Sequence, residues 1–195
     1  MASVPPDVPV YELDFWRRAS EVGRIPYAGG DLDEWVCGPD GHALAVNRNL
    51  LIGRKRYRRD FPPAPPGVAR LAEECSDAEL LGRASVLDLT GWFFARAPAA
   101  ENGAHRGQFR HPVEVYGIDV DARLVALALE VLAPLEVELR LRHVERATPP
   151  AFKATHALLL DGDRAFALVG PLTPPASALA DADVFPPRYA PLGGS

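Results

Sequence analysis

Apolar and polar positions divide the chain into segments of different period. The clearest is Asp121–Leu132 (DARLVALALEVL), where Leu124, Leu127, Ala128 and Val131 make one stripe at helical spacing. Asp121 supplies a start signal and Pro134 follows the end, so the spacing predicts a helix. Val137–Val144 (VELRLRHV) alternates strictly, which predicts a half-buried strand with Glu138, Arg140 and His143 among its outward or edge residues. Thr155–Leu160 and Ala165–Val169 read as two strands joined by an Asp161-Gly162-Asp163-Arg164 turn. Val113–Ile118 reads as a strand, and Ser85–Phe94 (SVLDLTGWFF) as a buried one.

Earlier in the chain the signals are shorter. Asp14–Val22 predicts a helix stopped by Gly23. His42–Val46 and Leu50–Ile52 predict a hairpin about Asn47-Arg48-Asn49. Val68–Ala84 carries apolar positions at helical spacing, with Ser76-Asp77 as the cap of a second helix. Ala95–His111 is polar, lacks a period and reads as a long loop. Pro62–Gly67 is a stiff, proline-rich linker, since proline fixes φ and removes backbone donors. The expected organisation is an N-terminal segment 1–61 that packs on the main domain or stands apart, the linker 62–67, and a domain 68–195. The expected fold class is α/β, a mixed, partly parallel sheet flanked by helices and ending in an antiparallel hairpin.

Composition adds limits rather than chemistry. A chain of 195 residues with 48% hydrophobic residues can bury one real core. A net charge of −5 gives no general attraction to nucleic acid or membranes. No apolar run reaches the roughly 18 residues of a membrane-spanning helix, and the first residues lack the pattern of a signal peptide. A cytoplasmic protein is therefore expected, with Cys37 and Cys75 as buried thiols or, less simply, a disulfide. No cofactor is implied. His105, His111 and His143 show no ligand spacing, so no metal site is expected.

Candidate chemistry concentrates in Thr155–Pro174 (THALLLDGDRAFALVGPLTP). His156 is followed by Ala157 and Leu158, then after four residues by Asp163, and Gly170 comes seven positions later. This order resembles the phospholipase D superfamily, whose signature is His-x-Lys, four residues, Asp, then a Gly-Ser-x-Asn segment. The resemblance covers roughly the C-terminal half. Leu158 replaces the Lys, Pro171 the Ser and Thr173 the Asn. The resemblance implies His156 as a nucleophile on a phosphodiester and Asp163 as the group that orients its imidazole. A second His must then protonate the leaving oxygen, supplied by a homodimer or by His42. Lys153 or Arg164 would replace the lost phosphate contact. With the phosphate clamp lost, the expected form is a degenerate, inactive relative rather than a working hydrolase, and the plainer reading, an ordinary surface hairpin, comes first because an Asp-Gly turn needs no catalysis.

Two other readings compete. The basic run Arg54, Lys55, Arg56, Arg58 and Arg59, with Tyr57 and Phe61, fits a nucleic-acid or protein-interaction module without catalysis. Val86–Leu89 and Val115–Asp119 resemble the first two strands of S-adenosylmethionine-dependent methyltransferases, with Asp119 at the ribose position. Gly91 alone, however, stands where that cofactor needs several glycines.

Overall fold

A computed structural model describes residues 44–47, 50–54, 78–97, 111–147, 154–172 and 182–187, together with Arg18 and Cys75. Apart from Arg18, the expected helix at Asp14–Val22 lies outside these residues, as do the Pro62–Gly67 linker, Cys37 and most of the Ala95–His111 loop.

The described chain forms an α/β fold of two sheets and two helices. The first strands are β1 (Leu44–Asn47), β2 (Leu50–Arg54) and β3 (Glu79–Ser85). Helix α1 (Val86–Phe94) leads to β4 (Pro112–Val115), β5 (Ile118–Asp121) and helix α2 (Ala122–Leu132). Strands β6 (Glu138–Ala147), β7 (Ala154–Asp161), β8 (Ala165–Val169) and β9 (Asp183–Phe185) follow. The large sheet runs β1-β2-β8-β7-β6-β3 and every pairing in it is antiparallel. The parallel pairing sits in the small sheet β5-β4-β9, between β4 and β9.

The core follows from strand alternation. Leu50, Ile52, Leu139, Leu141, Leu158, Leu160, Ala167 and Val169 face the two helices and the small sheet in one cluster. Their neighbours Leu51, Val144, Ala157, Leu159, Phe166 and Leu168 form a second cluster on the opposite face with Cys75. Both faces of the central strands are therefore buried, which explains the unbroken apolar run Ala157–Leu160.

The helix at Asp121–Leu132 stands as expected, with the Asp121 carboxylate accepting from Arg123 N at 3.0 Å as its N-cap. Ser85–Phe94 differs from expectation, for it is a helix. The Ser85 hydroxyl caps it, accepting from Asp88 N at 3.0 Å and donating to the Asp88 carboxylate at 2.6 Å. Val86, Leu89 and Phe93 make its buried stripe. The Ser85-x-x-Asp88 spacing is the local signal that marks this start, but a short run apolar on nearly every side hides a helical period. The helix expected across Ser76–Ala84 is instead β3, paired with β6 around an irregularity at Leu80–Gly82.

Val113–Ile118 also resolves differently. Tyr116 and Gly117 both have positive φ (50° and 84°) and turn β4 back onto β5. Two positive φ values at the centre of a two-residue hairpin are the type I′ signature, and Gly117 meets it without strain. Val86–Leu89 is thus helical and Val115–Asp119 contains a turn, so neither segment is the strand that a methyltransferase-like cofactor site requires.

The β4–β5 hairpin places Glu114 directly opposite Asp119. Burial pushes the Asp119 carboxyl above its ordinary 3.8, and the Glu114 charge adds to the rise. A raised carboxyl means the folded state holds its proton more tightly than the unfolded chain. Stability therefore falls as pH rises through the window just above 3.8. Asp119→Asn is expected to stabilise the chain at neutral pH by about 0.5 kcal/mol. Urea midpoints at neutral and acidic pH check this, with the gain shrinking in acid.

Candidate functional site

The residues singled out by the sequence separate along β7. His156 lies near its start and Asp163 lies beyond its end. At roughly 3.3 Å per residue they stand roughly 15–20 Å apart. Asp163 cannot orient the His156 ring at that distance. Its carboxylate instead accepts from Arg140 Nη2 at 2.9 Å. Arg164, also in the turn, is at the far end of the strand from His156 and is exposed. Leu158, in the family's Lys position, is fully buried among the core residues facing the helices. Lys153, His42 and the basic residues Lys55, Arg56, Arg58 and Arg59 lie outside the described residues. The backbone of Arg54 ends β2, paired with Ala165.

Glu136 explains the turn chemistry. It follows α2, is buried, and aims its carboxylate at the β7–β8 turn. That carboxylate accepts from Asp163 N at 2.9 Å and from Arg164 N and Ala165 N at 2.7 Å each. Gly162 is required because a Cβ there would collide with the Glu136 carboxylate. Asp-Gly-Asp is thus a turn built around a buried anion.

Asp161 organises the neighbouring surface of the sheet. One carboxylate oxygen accepts from Arg140 Nε at 3.0 Å and Arg142 Nε at 2.8 Å. Arg142 also donates to Ala78 O at 2.8 Å, which ties the approach to β3 onto β6. Burial pulls the Arg140 guanidinium down, and the Asp161 and Asp163 carboxylates more than reverse it, so its pKa is raised.

His156 does find a partner, which is His143. His143 Nε2 and His156 Nδ1 are 3.1 Å apart, with ring planes 11° apart. On the other side of the His143 ring, Nδ1 lies 3.7 Å from Glu79 Oε2. The three side chains come from three adjacent strands, β7, β6 and β3. The β3–β6 register pairs Glu79 with His143, and the β6–β7 register pairs His143 with Leu158, two residues from His156. Residues two apart on a strand share a face, so the three stand in a row at one end of the sheet. His156 has a positive φ of 59° within this strand. That conformation is uncommon for a residue with a Cβ and tends to accompany functional positions.

One ring nitrogen of the pair donates to the other, and the tautomers decide which. At 3.7 Å the Glu79 carboxylate lies beyond hydrogen-bond reach of His143 Nδ1 and pairs with that ring only when it is protonated. The His156 ring is exposed. Among the described residues, no group of three His, Cys, Asp or Glu side chains stands ready to hold a metal ion. No described helix is long and apolar enough to cross a membrane. No family model, curated protein or solved structure matches the chain.

Proposed function

We propose that the chain binds phosphodiesters and hydrolyses them weakly, with His156 as the nucleophile. The observation that supports this reading is the 3.1 Å contact with His143, itself 3.7 Å from Glu79. His156 Nε2 forms a bond to phosphorus as the phosphorus–oxygen bond to the leaving group breaks, and the departing oxygen takes a proton from water. The positive charge that develops on His156 spreads through its Nδ1 proton to His143 and Glu79. A second water then attacks phosphorus, gives its proton to the hydroxide left by the first, and breaks the phosphorus–nitrogen bond, which regenerates the imidazole. His143 and Glu79 thus hold the orienting role that the family pattern gives to the Asp. Because water protonates the leaving oxygen in this reading, it calls on no second His and no second subunit. The buried Leu158 cannot clamp phosphate oxygens, which is why the rate is expected to be low.

The test is hydrolysis of a chromogenic phosphodiester and of single-stranded DNA by wild type, His156→Ala, His143→Ala and Asp163→Asn. Each His variant is expected to lose activity by on the order of 10²-fold. Glu79→Gln should lose less, since Glu79 is exposed and 3.7 Å from the ring. Asp163→Asn should keep its activity, which separates this assignment from the family's. Equal background in all proteins would leave the non-catalytic reading.

A further inference from the structure

Phe185 of β9 sits in a pocket that other elements build. Its ring centroid lies 5.2 Å from that of Trp92, 5.9 Å from Phe93 and 6.4 Å from Tyr116, and the side chain is buried. Two residues earlier, the Asp183 carboxylate meets Arg96 Nε at 2.9 Å. The end of α1 holds Arg96 in place. Its guanidinium lies 4.0 Å over the Trp92 ring, and Nη1 donates to Trp92 O at 3.1 Å.

The backbone of the same three residues joins the edge of the small sheet. Asp183 pairs with Val113 and Phe185 with Val115, in parallel, and Tyr116 N donates to Phe185 O at 3.1 Å. Residues two apart on a strand share a face, so Asp183 and Phe185 reach α1 together. Extended peptides are recognised in this way: a sheet edge supplies main-chain hydrogen bonds, and sites for alternate side chains supply selectivity. The fit is short and incomplete. The ion pair is half-exposed, at 31% and 58%, and such pairs are weak. The Trp92 indole N–H is buried beside Phe185 and meets no acceptor among the described residues, a cost that β9 does not relieve.

We propose that the β4 edge, with Trp92, Phe93, Arg96 and Tyr116, is a docking groove for an extended segment of a partner protein that carries an acidic residue two positions before a Phe. In the resting chain β9 fills the groove as an internal competitor. Arg96 selects the acid and the three rings select the Phe. A partner binds only when β9 has left, so its apparent affinity is reduced by the fraction of chains with the groove open. Weakening β9 therefore tightens partner binding.

The experiment is fluorescence anisotropy of a labelled peptide with the sequence Ala182–Pro187, titrated with the full chain and its variants, each checked for folding by circular dichroism. Wild type is expected to bind weakly. Phe185→Ala should bind at least tenfold more tightly, because the ring that holds β9 is gone. Asp183→Ala should bind about threefold more tightly, and adding Arg96→Gln to it should reverse about threefold of binding, the scale of a half-exposed ion pair. Should Phe185→Ala fail to fold, the exposed Asp183→Ala carries the test. A peptide with Ala in place of its Phe should not bind. Equal binding by wild type and Asp183→Ala, or undiminished binding of the Phe-less peptide, would overturn the proposal. Sedimentation of wild type separates the other occupant: a dimer that the peptide disperses would make a second copy of this chain the occupant and overturn the assignment to a separate partner.

Discussion

Asp161→Ala is expected to cost about 3–5 kcal/mol of folding stability, the loss typical of removing one partner from a buried ion pair. Asp161 is 4% exposed, and one of its oxygens serves Arg140 and Arg142 at once. Both guanidiniums are themselves largely covered, at 26% and 21% exposure, so water replaces the lost carboxylate poorly. Arg140 keeps Asp163, whose carboxylate is 77% exposed and screened by solvent. Arg142 keeps the Ala78 carbonyl but, among the described residues, no carboxylate. Urea denaturation measures the effect. In an Arg142→Met background the same Asp161 change should cost at least about 1 kcal/mol less, because one of the stranded charges is gone. A loss under 1 kcal/mol for Asp161→Ala alone would show that the cluster is a surface ornament of the fold.

Glu136→Ala is the second large effect, expected at about 2–4 kcal/mol. Hydrogen bonds to a charged acceptor are worth about 1.5–3 kcal/mol each, and three backbone donors lose one acceptor residue together. Part of the cost is returned because water reaches the turn at the exposed Asp163 and Arg164. Glu136→Gln should also destabilise, since its amide presents an N–H toward backbone N–H groups. Gly162→Ala should act in the same direction by driving a Cβ against the same carboxylate. Hydrogen exchange gives the specific readout: amide protection at Asp163, Arg164 and Ala165 should fall before that of the central strands. Unchanged protection there would refute the role given to Glu136.

These two residues show what a sequence motif conceals. Asp161 and Asp163 flank a glycine in a recognisable hairpin turn, and the turn was legible. Its glycine reads as a conformational requirement, yet the reason for it is Glu136, a residue 26 positions earlier that approaches too closely for a Cβ. Asp163 stands at the spacing from His156 that suggests a catalytic pair. On an extended strand that spacing carries the two apart, since each residue advances the chain by about 3.3 Å. The spacing that unites them in a motif separates them in space.

The sequence by itself determined helix α2 and strands β6, β7 and β8, because their signals are local. A stripe at helical period, a strict alternation and a turn between two apolar runs are properties of neighbouring residues. It misassigned α1 as a strand, because its apolar run lacks a clear period. It also missed the β4–β5 turn, where Tyr116 takes a positive φ that its residue type does not announce. The meeting of His143 with His156 was decided by tertiary structure alone. That contact spans 13 positions and depends on the register of β6 against β7, while Glu79 enters from β3 on the other side. Register is set by which whole faces are buried together, so no local pattern around either histidine contains it.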